Sequence, residues 1–126
     1  MIDALAQRLV QVRPSERQLR WQRMGMNAFF HFGINTFTGR EWGTGREDPA
    51  AFDPPSVDAD QWCRAVKRAG IRGCILTAKH HDGFCLWDTN QTRHSAMYSP
   101  FGKDVVRLLA DACRRHDLKL GLYLSP

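Results

Sequence analysis

No apolar run in the 126-residue sequence approaches the roughly 20 residues that a bilayer-spanning helix needs, so no membrane partner is expected. No C-x-x-C pair occurs among Cys63, Cys74, Cys85 and Cys113. The usual ligand spacing of a structural zinc site is therefore missing, and buried free thiols are the reading. Neither a low-complexity tract nor a linker interrupts the chain, so one domain is expected. The opening stretch "MIDALAQRLVQVRPSERQ" lacks the continuous apolar segment and small-residue cleavage site of a secretory signal. With Met1 as the true start a cytoplasmic location is expected; a start further upstream leaves secretion open. Acidic residues are in the minority, 13 against 18 Lys and Arg, for a formal net charge of +5. That balance raises a basic nucleic-acid-binding module as a rival reading. But Arg13, Arg17, Arg20 and Arg23 lie near one helix and Arg64, Lys67 and Arg68 on another, the spacing of solvated helix faces. No nucleic-acid motif accompanies them, and no nucleic-acid partner is expected.

What is present is an alternation of strand and helix patterns, in a chain whose 43% hydrophobic content is ample for a core. "NAFFHFG" (Asn27–Gly33) reads as an aromatic-rich strand ending in glycine. "DADQWCRAVKRAG" (Asp58–Gly70) reads as a helix with Asp58 as N-cap, Gly70 as stop, and Trp62, Ala65, Val66 and Ala69 on one apolar face. "GCILTA" (Gly73–Ala78) is apolar without alternation, as in a strand covered on both faces. "DVVRLLADACRRH" (Asp104–His116) is a second helix with Val105, Leu108, Leu109 and Ala112 in a stripe, and "LKLGLYLS" (Leu118–Ser125) a third strand. Strand–helix–strand repeats imply parallel strands joined by right-handed crossovers. The class expected is α/β, the N-terminal portion of a (β/α)8-like (TIM) barrel, with residues 1–126 a partial catalytic domain truncated after the third strand. Phe29, Leu76 and Leu122 are candidates for the barrel-interior face.

The long loops after the first two strands, Gly33–Ser56 and Lys79–Lys103, carry Asn35, Glu41, Trp42, His80, His81, Asp82, Trp87 and His94. Function gathers at the carboxyl ends of parallel strands. His31 sits at one such end and the His80–His81 pair at the next. Beyond the strand the backbone turns freely, so both adjacent rings can face one cleft. Three chemistries use such a cluster. A metal-dependent hydrolase is one, but the ligand spacing is poor: there is no H-x-H and no H-E-x-x-H. A Cys85–His81 nucleophilic couple is another, but Cys85 lies in an apolar run with nothing to activate it. Recognition of a polyhydroxylated ligand fits best, because imidazoles donate and accept, a carboxylate accepts, and Trp42 offers a flat apolar face for a sugar ring.

The stretches "FFHFGINTFTGREWG", "LTAKHHDGFCLW", "GKDVVRLLADACRRHDLK" and "KLGLYLSP" resemble successive strand-end motifs and the second crossover helix of glycoside hydrolase family 29, the α-L-fucosidases. The resemblance runs from about Gln18 to the end. It implies a retaining glycosidase that releases terminal α-L-fucose from glycans, and the form "HFGINTFTGREWG" resembles the branch acting on α-1,3/1,4-linked fucose. It implies a (β/α)8-like catalytic barrel followed by a β-sandwich. His31, His80 and His81 would hydrogen-bond fucose hydroxyls, with Glu41 and Trp42 lining the same pocket. The family's aspartate nucleophile and its acid/base lie beyond Pro126, so no catalytic residue is expected within this chain. It is expected to be inactive alone, with a fucosylated glycan as partner and no cofactor or metal. Asp82, before Gly83, reads as a loop-shaping residue.

Overall fold

The computed structural model describes residues 3–126. In chain order the elements are α1 (Ala4–Leu9), α2 (Glu16–Arg23), β1 (Ala28–Phe30), α3 (Asn35–Thr38), α4 (Ala59–Arg68), β2 (Gly73–Lys79), α5 (Val105–Arg115) and β3 (Lys119–Leu124). Helix boundaries follow their caps. The Asp58 carboxylate accepts from the Gln61 N–H at 2.8 Å, and Gly70, at φ +73°, ends α4 in the left-handed region. Asp104 does the same for α5, accepting from the Arg107 N–H at 2.7 Å; its other oxygen takes the Asp88 N–H at 3.1 Å and ties down the long loop.

The three strands form one parallel sheet in the order β1-β2-β3. The α/β class and the parallel crossovers are therefore as expected. The sheet's helix-packed side carries Ala28, Phe30, Cys74, Leu76 and Leu120, closed by Ala59, Cys63 and Val66 of α4 and Val105, Leu109, Ala112 and Cys113 of α5. Burying each large side chain of this set contributes about 1.5–3 kcal/mol. The four cysteines are buried and free, as expected. Burial pushes the Cys63 and Cys113 thiols up to about 12.

Two expectations about faces need correction. On α4 the buried stripe is Ala59, Cys63 and Val66 with Trp62 half-buried, whereas Ala65 and Ala69 are exposed. The helix is rotated because Cys63 packs against α5, its sulfur 3.9 Å from that of Cys113. Leu76 and Leu122 do not share a face with Phe29. Leu76 is fully buried on the helix side, and parallel register sets Leu122 beside it. The opposite side is built instead from Phe29, Ile75, Gly121 and Tyr123, with the Phe29 and Tyr123 rings edge-on at 6.0 Å. A Cβ at Gly121 would lie 3.1 Å from Ile75 Cγ1, so glycine there lets Ile75 settle between its neighbours.

β2 carries a bulge. Thr77 pairs with Tyr123 but Lys79 with Leu124, so two steps on β2 match one on β3. The two long loops are anchored by an aromatic cluster. Phe52, fully buried in the first loop, lies 5.2–5.9 Å from the rings of Phe32, Phe37, Phe84 and Phe101.

Candidate functional site

The carboxyl ends of β1 and β2 open into a cleft of about 240 Å³, lined by His31, Asn35, Arg40, Glu41, Thr77 and His80 among others. The bulge in β2 decides which way His80 faces. Lys79 comes level with Leu124 on the helix-packed side, and His80 turns inward, its ring 6.1 Å from that of Tyr123. A turn follows at once, closed by the Gly83 N–H donating to the His80 carbonyl at 3.0 Å, with Gly83 at φ +75°. His81 therefore stays beside its neighbour rather than on the reverse face. Ring centres run 4.8 Å from His31 to His80, 4.6 Å from His80 to His81, and 5.9 Å from His81 to Trp42. The two adjacent histidines at this strand end thus lie side by side, His80 in the cleft and His81 at its edge.

Each ring is held differently. His81 Nδ1 lies 2.6 Å from the hydroxyl of Ser125, which is buried at the end of β3. The other nitrogen, Nε2, makes no hydrogen bond within the described residues. His80 is largely buried, and Asp82 Oδ2 is 4.0 Å from its Nδ1, too far for a hydrogen bond. Burial, with His31 and His81 close by, holds its pKa below the usual histidine range. Asp82 itself is 4% exposed and fully engaged: it accepts from the Phe84 N–H at 2.7 Å and from Asn35 Nδ2 at 2.8 Å. It shapes the loop, as its place before Gly83 suggested. Cys85 is buried and its thiol is pushed up by that burial, so it is no nucleophile for His81. Among the described residues no three His, Cys, Asp or Glu side chains converge as metal ligands would.

The segment bearing Glu41 and Trp42 is clasped from behind. Glu47 accepts from the Thr44 N–H at 2.5 Å, the Thr44 hydroxyl at 2.9 Å and the Gly45 N–H at 3.0 Å. Slight burial pushes its carboxyl up, but these donors outweigh it and bring the pKa to about 2.

A sequence profile described as Alpha-L-fucosidase matches residues 46–126. The chain belongs to the alpha-L-fucosidase family. Among its relatives, Alpha-L-fucosidase 1 of Arabidopsis thaliana is 49% identical over 116 residues, 90% of this chain and 23% of the relative. A solved structure of a glycoside hydrolase 29 family member from an unknown rumen bacterium superposes at TM-score 0.86 with 55% identity, over 90% of this chain and 21% of that one. A mutant of a Ruminococcus gnavus family 29 fucosidase in complex with fucose superposes at 0.82 with 37% identity, over 91% and 24%. The chain spans about a fifth to a quarter of the length of these relatives.

All five residues that the fucosidase resemblance singled out come together. His31, Glu41 and His80 line the cleft, and His81 and Trp42 extend it as a ring pair at its edge. Trp87 and His94, present in the same loops, are not among the cleft's lining; His94 packs its ring on Phe84 at 5.1 Å. Sequence reasoning missed Arg40, Thr77, Ser125 and Gly43. Thr77 had a signal, as the lone polar residue inside "GCILTA"; Ser125 and Gly43 had none. Gly43 crosses directly behind Asp82. A Cβ there would fall 2.6 Å from Asp82 Cβ and 2.9 Å from both Asn35 Oδ1 and Glu47 Oε1.

Proposed function

We propose that this chain forms one wall of the fucose pocket of a retaining α-L-fucosidase built on a (β/α)8-like barrel, acting on terminal fucose in α-1,3/1,4 linkage. The observation that carries the reading is the convergence of three imidazoles from two neighbouring strand ends with Glu41 and Trp42. Neutral imidazoles can donate and accept, with Nε2 the nitrogen left free on His81; Glu41 accepts, and Trp42 presents an exposed indole face for the apolar side of a pyranose. Binding energy gathered on non-reacting hydroxyls holds the sugar where bond breaking is easiest.

Retaining hydrolysis needs a nucleophile and an acid/base about 5–5.5 Å apart. Asp82 is buried and committed to Asn35 and Phe84, so it supplies neither. Purified residues 1–126 are therefore expected to show no turnover of an aryl α-L-fucoside above a blank. The Arabidopsis relative rebuilt with this chain in place of its own matched segment is expected to turn it over. Failure of the rebuilt enzyme to bind or hydrolyse the fucoside, when properly folded, refutes the pocket reading.

Two further results are expected in that full-length setting. Gly43→Ala should push the Glu41–Trp42 segment off Asp82 and raise KM by about tenfold, roughly the 1.4 kcal/mol of one good polar contact. An unchanged KM would mean that Glu41 and Trp42 do not touch the sugar. The second concerns pH. An unfolded histidine titrates near 6.5, whereas His80 in the fold has a lowered pKa. Above about 6.5 His80 is neutral in both states and costs nothing. As pH falls below that value the unfolded chain takes up a proton that folded His80 resists, so stability is lost toward acid. The wild type should lose more melting temperature between pH 7 and 5 than His80→Gln, and parallel losses would count against a depressed His80 pKa.

A further inference from the structure

On the fucose-pocket reading, we propose that Thr77 is the positioning residue for His31: its hydroxyl grips both backbone polar groups of the next residue, Phe32, with the Phe30 carbonyl in reach as an alternative acceptor, and so aims the ring at the ligand. β1 pairs with β2 only as far as Phe30 opposite Leu76. Past that point the backbone bearing His31 leaves the ladder. The Thr77 side chain takes over from the main chain there. Its Oγ1 accepts from the Phe32 N–H at 3.1 Å and lies 2.8 Å from the Phe32 carbonyl and 3.3 Å from the Phe30 carbonyl. One hydroxyl proton serves one carbonyl at a time, and the shorter contact favours Phe32.

The His31 ring needs such help. It is exposed, and among the described residues its neighbours are rings, Phe29 at 6.3 Å and His80 at 4.8 Å, with no hydrogen bond to hold it. Ring contacts of this kind limit tilt but do not fix a nitrogen's position to the few tenths of an ångström that a hydrogen bond to a sugar hydroxyl demands. The orientation must come from the backbone, and Thr77 holds it immediately after His31, at Phe32. Thr77 is 3% exposed and sits immediately before the bulge that turns His80 inward. One residue therefore lies at the root of both histidine-bearing ends.

The test uses a full-length fucosidase carrying this chain. Thr77→Val keeps the volume and branching and removes only the hydroxyl, whereas Thr77→Ser keeps the hydroxyl. In ligand-free crystals the His31 ring should shift or split into two conformers in Thr77→Val and return to one place in Thr77→Ser. With an aryl α-L-fucoside, Thr77→Val should lower kcat/KM about tenfold or more, but less than twofold when His31 is already alanine. A general loss of packing would instead lower activity equally in both backgrounds. A single unmoved His31 ring in Thr77→Val, or additive losses in the double variant, overturns the proposal. If Thr77→Val does not fold, Thr77→Cys carries the same comparison, because a thiol of similar size bonds only weakly. An unsubstituted protein that neither binds nor cleaves the fucoside sinks the pocket reading, while the crystal comparison still decides whether Thr77 holds His31.

Discussion

Replacing His80 and His81 together by alanine in a full-length fucosidase carrying this chain is expected to lower kcat/KM for an aryl α-L-fucoside by about 10²–10³-fold, or roughly 2.7–4 kcal/mol. With His81 Nδ1 taken by Ser125, the two imidazoles can make up to three hydrogen bonds to a sugar. Each neutral one is worth about 0.5–1.5 kcal/mol, and more where the partner hydroxyl would otherwise sit unpaired in a closed site. The loss should exceed what either single substitution suggests. The two rings are 4.6 Å apart, and each limits the other's movement. His80 is the more consequential half. It is the inward ring of the pair, touching His31 on one side and approaching Tyr123 on the other. Alanine there would leave His31 without its edge-on neighbour. A thermal melt of the same variant separates lost recognition from lost fold. Activity within threefold of wild type, from a protein that melts normally, would mean that these rings do not hold the sugar.

Residues 1–126 prepared alone are expected to associate rather than fold as a stable monomer. β2 has a partner on each side, but β1 and β3 each leave one row of backbone donors and acceptors open. Phe29 is 51% exposed on the side opposite the helices, and Leu122 and Leu124 are 47% and 56% exposed on β3. Full burial of such a side chain is worth about 1.5–3 kcal/mol, against a total stability of about 5–15 kcal/mol for an ordinary domain. Three half-used side chains are a serious deficit on that scale. The N-terminal helices do not offset it, since neither α1 nor α2 buries a residue. Oligomers on size exclusion, with dye binding and a broad melt, are the expected result. A monomer with one sharp cooperative transition would show that the sheet needs no further strands.

Elements whose signals are local were legible in the sequence. Asp58, Gly70 and Asp104 mark helix ends through contacts within a few residues of themselves, and the apolar run Gly73–Ala78 is a strand buried at every position but Ile75. The grouping of His31 with His80 and His81 also followed, from the rule that parallel strands bring their carboxyl ends together. What stayed hidden depends on partners far away in sequence. Simple alternation from Thr77 sends His80 to the helix-packed side; only the bulge after Thr77 reverses it, and a bulge leaves no mark in "GCILTAK". Ser125 meets His81 across 44 positions, and Thr77 meets Phe32 across 45. The stripe on α4 was misplaced because alanine fits either face, and the choice was made by sulfur packing between Cys63 and Cys113. Phe52 follows no helix or strand period in its loop, so its role as anchor emerges only once four other aromatic rings surround it.

The cleft draws its groups from three strands: His31 follows β1, His80 and His81 follow β2, and Ser125, which holds His81, follows β3. Anything gripped there bears on three strand ends at once. By mass action, a sugar present at a hundred times its dissociation constant would add about 2.7 kcal/mol to the folded state, a sizeable share of a small domain's entire margin. On the proposed fucose-pocket reading the cleft is also a clasp across the sheet, and a tight-binding fucose mimic would stabilise a full-length fucosidase carrying this chain, rescuing variants whose defect lies in strand pairing far from the sugar.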